Sequence, residues 1–154
     1  MLMRPEENVL LPAMKLSEHL SSEELVCRCG KCELSDPAVV ARHVHPQLVE
    51  KFEELRLALK VPIRINRGVS CWDHHVAIYK QQYLTTWDLH VTRDSRHLVR
   101  GEFFSAIDWY PSGSAELFYA AMTAAYFRFS AIILYRNFIH ADVGQRNNVV
   151  FIRK

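Results

Sequence analysis

No apolar run in this chain approaches the length that crosses a bilayer. No segment repeats, and no stretch is of low complexity. There is no dense Lys/Arg run, and the formal net charge is only +2, so the charge pattern does not point to nucleic acid. At the start, Met1-Leu2-Met3-Arg4-Pro5-Glu6-Glu7 breaks any apolar stretch with charges and a proline before a signal-peptide core can form. The expectation is a soluble protein made in the cytoplasm, with no nucleic-acid or membrane partner, acting elsewhere only if released. What is present is ordinary for a globular protein. The 154 residues are 49% hydrophobic and 23% charged, enough for one core. An N-terminal arm over 1–15 and a single domain over 16–154 are expected.

Cysteine is scarce and unevenly placed. Of four, three crowd into Cys27-Arg28-Cys29-Gly30-Lys31-Cys32, and the fourth is Cys71. Without a signal peptide, disulfides are not the first expectation. Reduced cysteines packing as small hydrophobes in a tight turn are the default. Four thiolates holding a metal are the alternative, because Cys29-x-x-Cys32 has ligand spacing. Taken alone, that alternative describes a zinc-stabilised interaction domain.

The order of elements points to α+β, with N-terminal helices on a small, mainly antiparallel sheet. Ser21-Ser22-Glu23-Glu24 carries a helix-start signal for a segment over 17–25. Asp36-Pro37 starts another helix, which Pro46 interrupts. Leu48, Phe52, Leu55 and Leu59 recur at helical spacing over about 46–60. Val61 to Asn66 alternates as a half-buried strand does. Residues 69–94 have mixed periodicity and read as irregular or partly helical cover for a site. A strand over 102–110, a helix over 114–129, strands over 131–134 and 138–143, a turn over 144–148 and a last strand over 149–152 follow. In the helix, Tyr119, Tyr126 and Phe127 read as core. His43 and His45 flank the helix break and read as solvated, and His74-His75 as surface residues.

Polar residues at apolar strand positions carry the chemistry. Asp108 stands alone between Ile107 and Trp109, and His140 between Ile139 and Ala141. A buried carboxylate is costly unless a cation or donors meet it. His97 lies in a polar turn ahead of the Asp108 strand. Two imidazoles and a carboxylate form the ligand set of a catalytic zinc, with the fourth position left to water.

These residues resemble a known family. Ser95-Arg96-His97, Gly101, Ala106-x-Asp108 and Phe138-Ile139-His140-Ala141-Asp142-Val143-Gly144 stand where the zinc D-alanyl-D-alanine carboxypeptidase and L-alanoyl-D-glutamate endopeptidase family carries Ser-x-His-x-x-Gly-x-Ala-x-Asp and a later Phe-Val-His-x-Asp-like strand. That family includes phage endolysins and murein endopeptidases. The Cys-x-Cys-Gly turn, Asp36-Pro37, Leu55-Arg56 and Val61-Pro62-Ile63-Arg64-Ile65-Asn66-Arg67-Gly68 before Cys71 keep the same order, so the resemblance spans most of 16–145.

The resemblance implies a Zn2+ peptidase in which His97, Asp108 and His140 bind the metal and Ser95 contacts substrate. The substrate would be peptidoglycan peptides, cut in the stem or the cross-link, and the protein would be a monomer of phage or virion-associated type. Three departures accompany it. The loop between His97 and Asp108 is longer than the family motif. Ser70 stands at the position of the arginine that binds the substrate carboxylate, leaving Arg67 or Arg64 as substitutes. Asn137 stands where many members place a general base, leaving Asp142 or Glu102 to assist. A catalytically impaired binding module on the same zinc scaffold is therefore the second reading.

Overall fold

Two prolines set the helical layer. Asp36 accepts from the Ala38 N–H at 2.9 Å, and Pro37 occupies the first turn of α1 (Pro37–His43). Pro46 opens α2 (Pro46–Leu59) in the same way, with the His45 ring accepting from the Gln47 N–H at 3.1 Å. The helix ends at Lys60, whose left-handed φ of 58° stops the spiral. Leu48, Phe52 and Leu55 are fully buried along the expected face.

The computed structural model describes residues 14–82, 95–143 and 149–152 and has an α+β fold. Residues 1–13 of the expected arm and the turn at 144–148 lie outside the described residues. No described helix is long and apolar enough to cross a membrane.

The start signal near Ser21 produces less helix than expected. The Glu24 carboxylate does accept from the Ser21 N–H at 2.9 Å. Only one 3-10 turn follows, at Ser22–Leu25, because Val26 is extended and the Cys27 N–H bonds the Leu34 carbonyl at 2.8 Å. Ahead of it, β1 (Lys15–Ser17) and β2 (Leu20–Ser21) pair as a two-stranded sheet. His19 fastens this hairpin to α2 by donating its backbone N–H to Glu53 at 2.8 Å, with its ring 2.7 Å from the same carboxylate.

The main sheet comprises β3 (Ile63–Arg67), β4 (Ala106–Pro111), β5 (Ala131–Leu134), β6 (Ile139–Asp142) and β7 (Val149–Ile152), in the order β3-β4-β6-β5-β7. All neighbours are antiparallel except β5 and β7, which run parallel. Two further helices lie among the described residues: α3 (Trp72–Gln82), lying in the stretch of mixed periodicity, and α4 (Ala115–Tyr126). The remainder of that stretch, 83–94, lies outside the described residues.

The sheet has two faces with different contents. Ile107, Trp109, Ile139 and Ala141 point into the helical core and are essentially inaccessible. Strand alternation then turns Asp108 and His140 to the other face. They are direct partners in the β4–β6 register. The α4 expectation needs correcting. Its core contact is a stripe of Ala121 and Ala125, and Tyr119 and Phe127 are 67% and 75% exposed. Alanines let α4 approach closely; Phe118 packs beside them against the core, while Tyr119, Tyr126 and Phe127 lie on the outer side.

Candidate metal centre

Three segments bring His97, Asp108 and His140 to one point. Asp108 and His140 come from neighbouring strands, with His140 Nδ1 2.9 Å from Asp108 Oδ1. His97 comes from a turn in which its N–H bonds Ser95 Oγ at 3.3 Å. The turn is stitched on both sides. Ser105 N–H donates to the Arg96 carbonyl at 2.8 Å, and Ser70 N–H to the His97 carbonyl at 2.9 Å. His97 Nε2 thereby sits 3.1 Å from Asp108 Oδ1 and 3.2 Å from His140 Nδ1. All three residues are at least nine-tenths buried.

The outer nitrogens decide what the inner ones can do. His97 Nδ1 lies 2.7 Å from the Gly68 carbonyl, which can only accept, so that nitrogen carries the proton. His140 Nε2 donates to Asp142 Oδ2 at 2.9 Å. In the neutral rings, His97 Nε2 and His140 Nδ1 are then bare lone pairs facing each other and a carboxylate oxygen. Three acceptors in mutual contact need positive charge among them. A proton bridges one pair; a metal ion satisfies all three. A tetrahedral ion with bonds of about 2.0 Å separates its ligands by about 3.3 Å. The observed separations of 2.9–3.2 Å fit that edge. Histidines anchored at the far nitrogen by a carbonyl or carboxylate are the usual support of such ligands.

The electrostatics agree. Burial pulls His97 below its ordinary value, and the charges of Arg67 and His140 push the same way against Asp108. Burial alone would raise Asp108, yet the two imidazoles hold its carboxyl well below the usual carboxylate range. Burial also opposes a proton on His140, but Asp108 and Asp142, one at each nitrogen, push it up to about 9. Without metal, His140 is thus the residue that carries the balancing proton.

No family model matches the chain, and no curated protein or solved structure matches it.

The loop before Asp108 turns back at Gly101 and returns to the core through Phe104. Arg100 and Phe103 form a small antiparallel bridge around Gly101, whose φ of 69° makes the tight turn. Phe104 then docks beside Val44, its N–H on the His43 carbonyl at 2.9 Å and its carbonyl accepting from His45 N–H at 3.0 Å. The His43 ring bonds the Glu102 carbonyl at 2.8 Å. His43 and His45 are therefore half-buried structural groups, contrary to the solvated reading.

The other sequence candidates fall in distinct places. Arg67 is the β3 partner of Asp108, and its Nε donates to Ser70 Oγ at 2.9 Å. Its Nη2 donates to His75 Nδ1 at 2.7 Å. Ser70 is thus fully buried and steadies an arginine that reaches in from the strand. Arg64 is exposed and bonds the Tyr110 hydroxyl at 3.2 Å. The Ser95 hydroxyl is engaged by the His97 backbone. Asp142 is fully buried behind His140, on the side away from the other donors. Asn137 and Glu102 are exposed.

His75 corrects the surface reading of the His74-His75 pair: it is fully buried. The β3 bulge between Ile65 and Arg67 turns the guanidinium towards it. An arginine eight residues upstream of a histidine carries no local signal, so the pairing was not readable. The four cysteine sulfurs also converge, all within 4.8 Å of one another, and all are free thiols.

Proposed function

We propose that the chain is a zinc-dependent peptidase acting on peptidoglycan peptides, cutting a D-Ala-type or L-Ala-D-Glu-type bond. The observation that carries this reading is the convergence of His97 Nε2, Asp108 Oδ1 and His140 Nδ1, each imidazole held by a second partner. Three protein ligands of this kind leave one position open, the arrangement of catalytic rather than structural zinc. When bound, zinc supplies a Lewis acid for the scissile carbonyl and lowers the pKa of its water.

The chain's own groups divide the remaining work. Gly68 and Asp142 hold the two imidazoles in the ligating tautomer. Arg67, beside His97 and braced by Ser70 and His75, is the group to receive a substrate carboxylate, in place of the arginine absent at position 70. Asp142 is a positioning residue in this scheme, because its Oδ2 accepts from His140 Nε2 on the side away from the other donors. Ser95 acts through the His97 turn. The resemblance of the Ser95–Asp108 and Phe138–Gly144 segments to the family supports the substrate class. A phage-type route to the wall would follow from it.

The test is incubation of zinc-loaded protein with purified cell wall. New amino termini and muropeptides identified by mass should appear with the wild type and fall to background in His97→Ala. Arg67→Ala should raise KM more than it lowers kcat. Absence of any product from the wild type would reject the enzyme in favour of the binding module, which Asn137 at the family's base position favours.

A further inference from the structure

The cysteine cluster is separate from the His/Asp/His centre and has its own geometry. Cys27, Cys29 and Cys32 come from the knuckle after the first 3-10 turn, where Gly30 has a φ of 70°. Cys71 arrives from the loop after β3. Its Sγ lies 3.9 Å from that of Cys29, and all four sulfurs lie within 4.8 Å of one another. A tetrahedral ion with metal–sulfur bonds of about 2.3 Å places its sulfurs about 3.8 Å apart.

Backbone amides are aimed at the sulfurs. Cys71 N–H points at Cys27 Sγ at 3.3 Å, Lys31 N–H at Cys29 Sγ at 3.3 Å and His74 N–H at Cys71 Sγ at 3.4 Å. Amides directed at sulfur stabilise thiolate charge, which packing of neutral thiols does not require. Ser35 completes the surround. Its hydroxyl donates to the Cys27 carbonyl at 3.0 Å and lies 3.7 Å from both Cys29 and Cys32 sulfurs.

We propose that Cys27, Cys29, Cys32 and Cys71 form a closed tetrathiolate zinc site, a second metal centre that fixes the loop orienting His97. Four protein ligands leave no position for water, so the role is structural. Soft thiolates in tetrahedral array select zinc over the hard divalent cations. The loop is the link between the centres. Gly68 offers its carbonyl to His97 Nδ1, Val69 N–H bonds the Leu25 carbonyl at 2.9 Å, Ser70 N–H bonds the His97 carbonyl, and Cys71 closes the thiolate set. A Cβ on Gly68 would lie 2.5 Å from the Leu25 carbonyl oxygen, so the loop and the knuckle are pressed backbone to backbone. The binding half of the proposal stands alone; the coupling half rests on the zinc reading of the histidine centre.

The experiment counts zinc in the full chain by elemental mass spectrometry. The wild type should hold two ions, Asp108→Ala one, and the Cys29→Ser/Cys32→Ser double variant one. In zinc-loaded Asp108→Ala, the four thiols should resist maleimide. A chelator should expose all four, and added Zn2+ should protect them again. This arm does not depend on the cysteine variant folding. A wild type holding one zinc that Asp108→Ala loses would overturn the thiolate site and leave the peptidase reading intact. One zinc that survives Asp108→Ala and vanishes with the cysteine pair would do the reverse. Equal maleimide rates with and without zinc, or a mass showing disulfides in unreduced protein, would also overturn the thiolate site. Coupling predicts at least tenfold weaker zinc binding at the histidine centre of the double variant; unchanged affinity would overturn that half.

Discussion

The histidine centre draws its donors from two strands and a distant turn, whereas the cysteine cluster takes three of its four from the single stretch Cys27–Cys32. The first is assembled by the β4–β6 register and sits at the sheet surface with three donors. The second is assembled by a knuckle that the loop after β3 closes with Cys71, and it has four. Donor number separates a site with an open position from one without. The means of assembly separates what destroys each. Damage to the sheet register removes the histidine centre, and damage to the 68–71 loop reaches both.

The sharpest way to break the comparison is Asp108→Ala. It removes the anion between two buried imidazoles and leaves their lone pairs opposed. Product release should fall to background, and stability measured by denaturant unfolding should drop by about 3–5 kcal/mol, as when a buried charged set loses a member. The knuckle should be untouched. Gly68→Ala is next, since the new methyl meets Leu25 backbone that cannot rotate away. Overpacking of this kind costs about 1–3 kcal/mol, and zinc titration should show weaker binding at both centres.

Asp142→Asn tests whether the outer partner matters. Loss of such a partner lowers metal affinity about 10–100-fold, so the variant should still load zinc at higher concentration, with activity recovering in parallel. The protonation of His140 tests the same contact in zinc-free protein. Its imidazole, held up at about 9 by the two carboxylates, should titrate there by NMR. This raised value contributes stability that is present below the unfolded value of about 6.5 and is lost as pH rises through about 9. In Asp108→Asn the titration should move downward, because burial then meets less opposition.

Much of the histidine centre was legible because strands alternate. A charged residue between Ile107 and Trp109, or between Ile139 and Ala141, breaks an apolar pattern and asks for a partner. The helix over 46–60 was legible for the same reason at another period. Three features were not. The 98–105 segment turns at Gly101 and docks through Phe104 only because the His43 carbonyl and the His45 N–H offer it backbone partners far away in the chain. Cys71 joins the knuckle only because Gly68 lets two backbones touch, so the cysteine spacing alone left metal and packing both open. In α4, apolar residues lie all round, and periodicity cannot say that the alanine stripe rather than Tyr119 and Phe127 faces inward.

The smallest effect is expected where neither centre is involved. Glu53 lies on α2 and accepts two contacts from His19, tying the β1–β2 hairpin down. Burial opposes its charge, but the His19 hydrogen bonds keep its carboxyl below the usual value. The pair is partly exposed, so solvent screens it, and Glu53→Ala should cost only about 1 kcal/mol in denaturant unfolding. Zinc content should stay at the wild-type value and thiol protection should be unchanged. If Glu53→Ala instead released zinc from either centre, the hairpin would be part of the metal scaffold, and the division between a sheet-built and a knuckle-built centre would no longer hold.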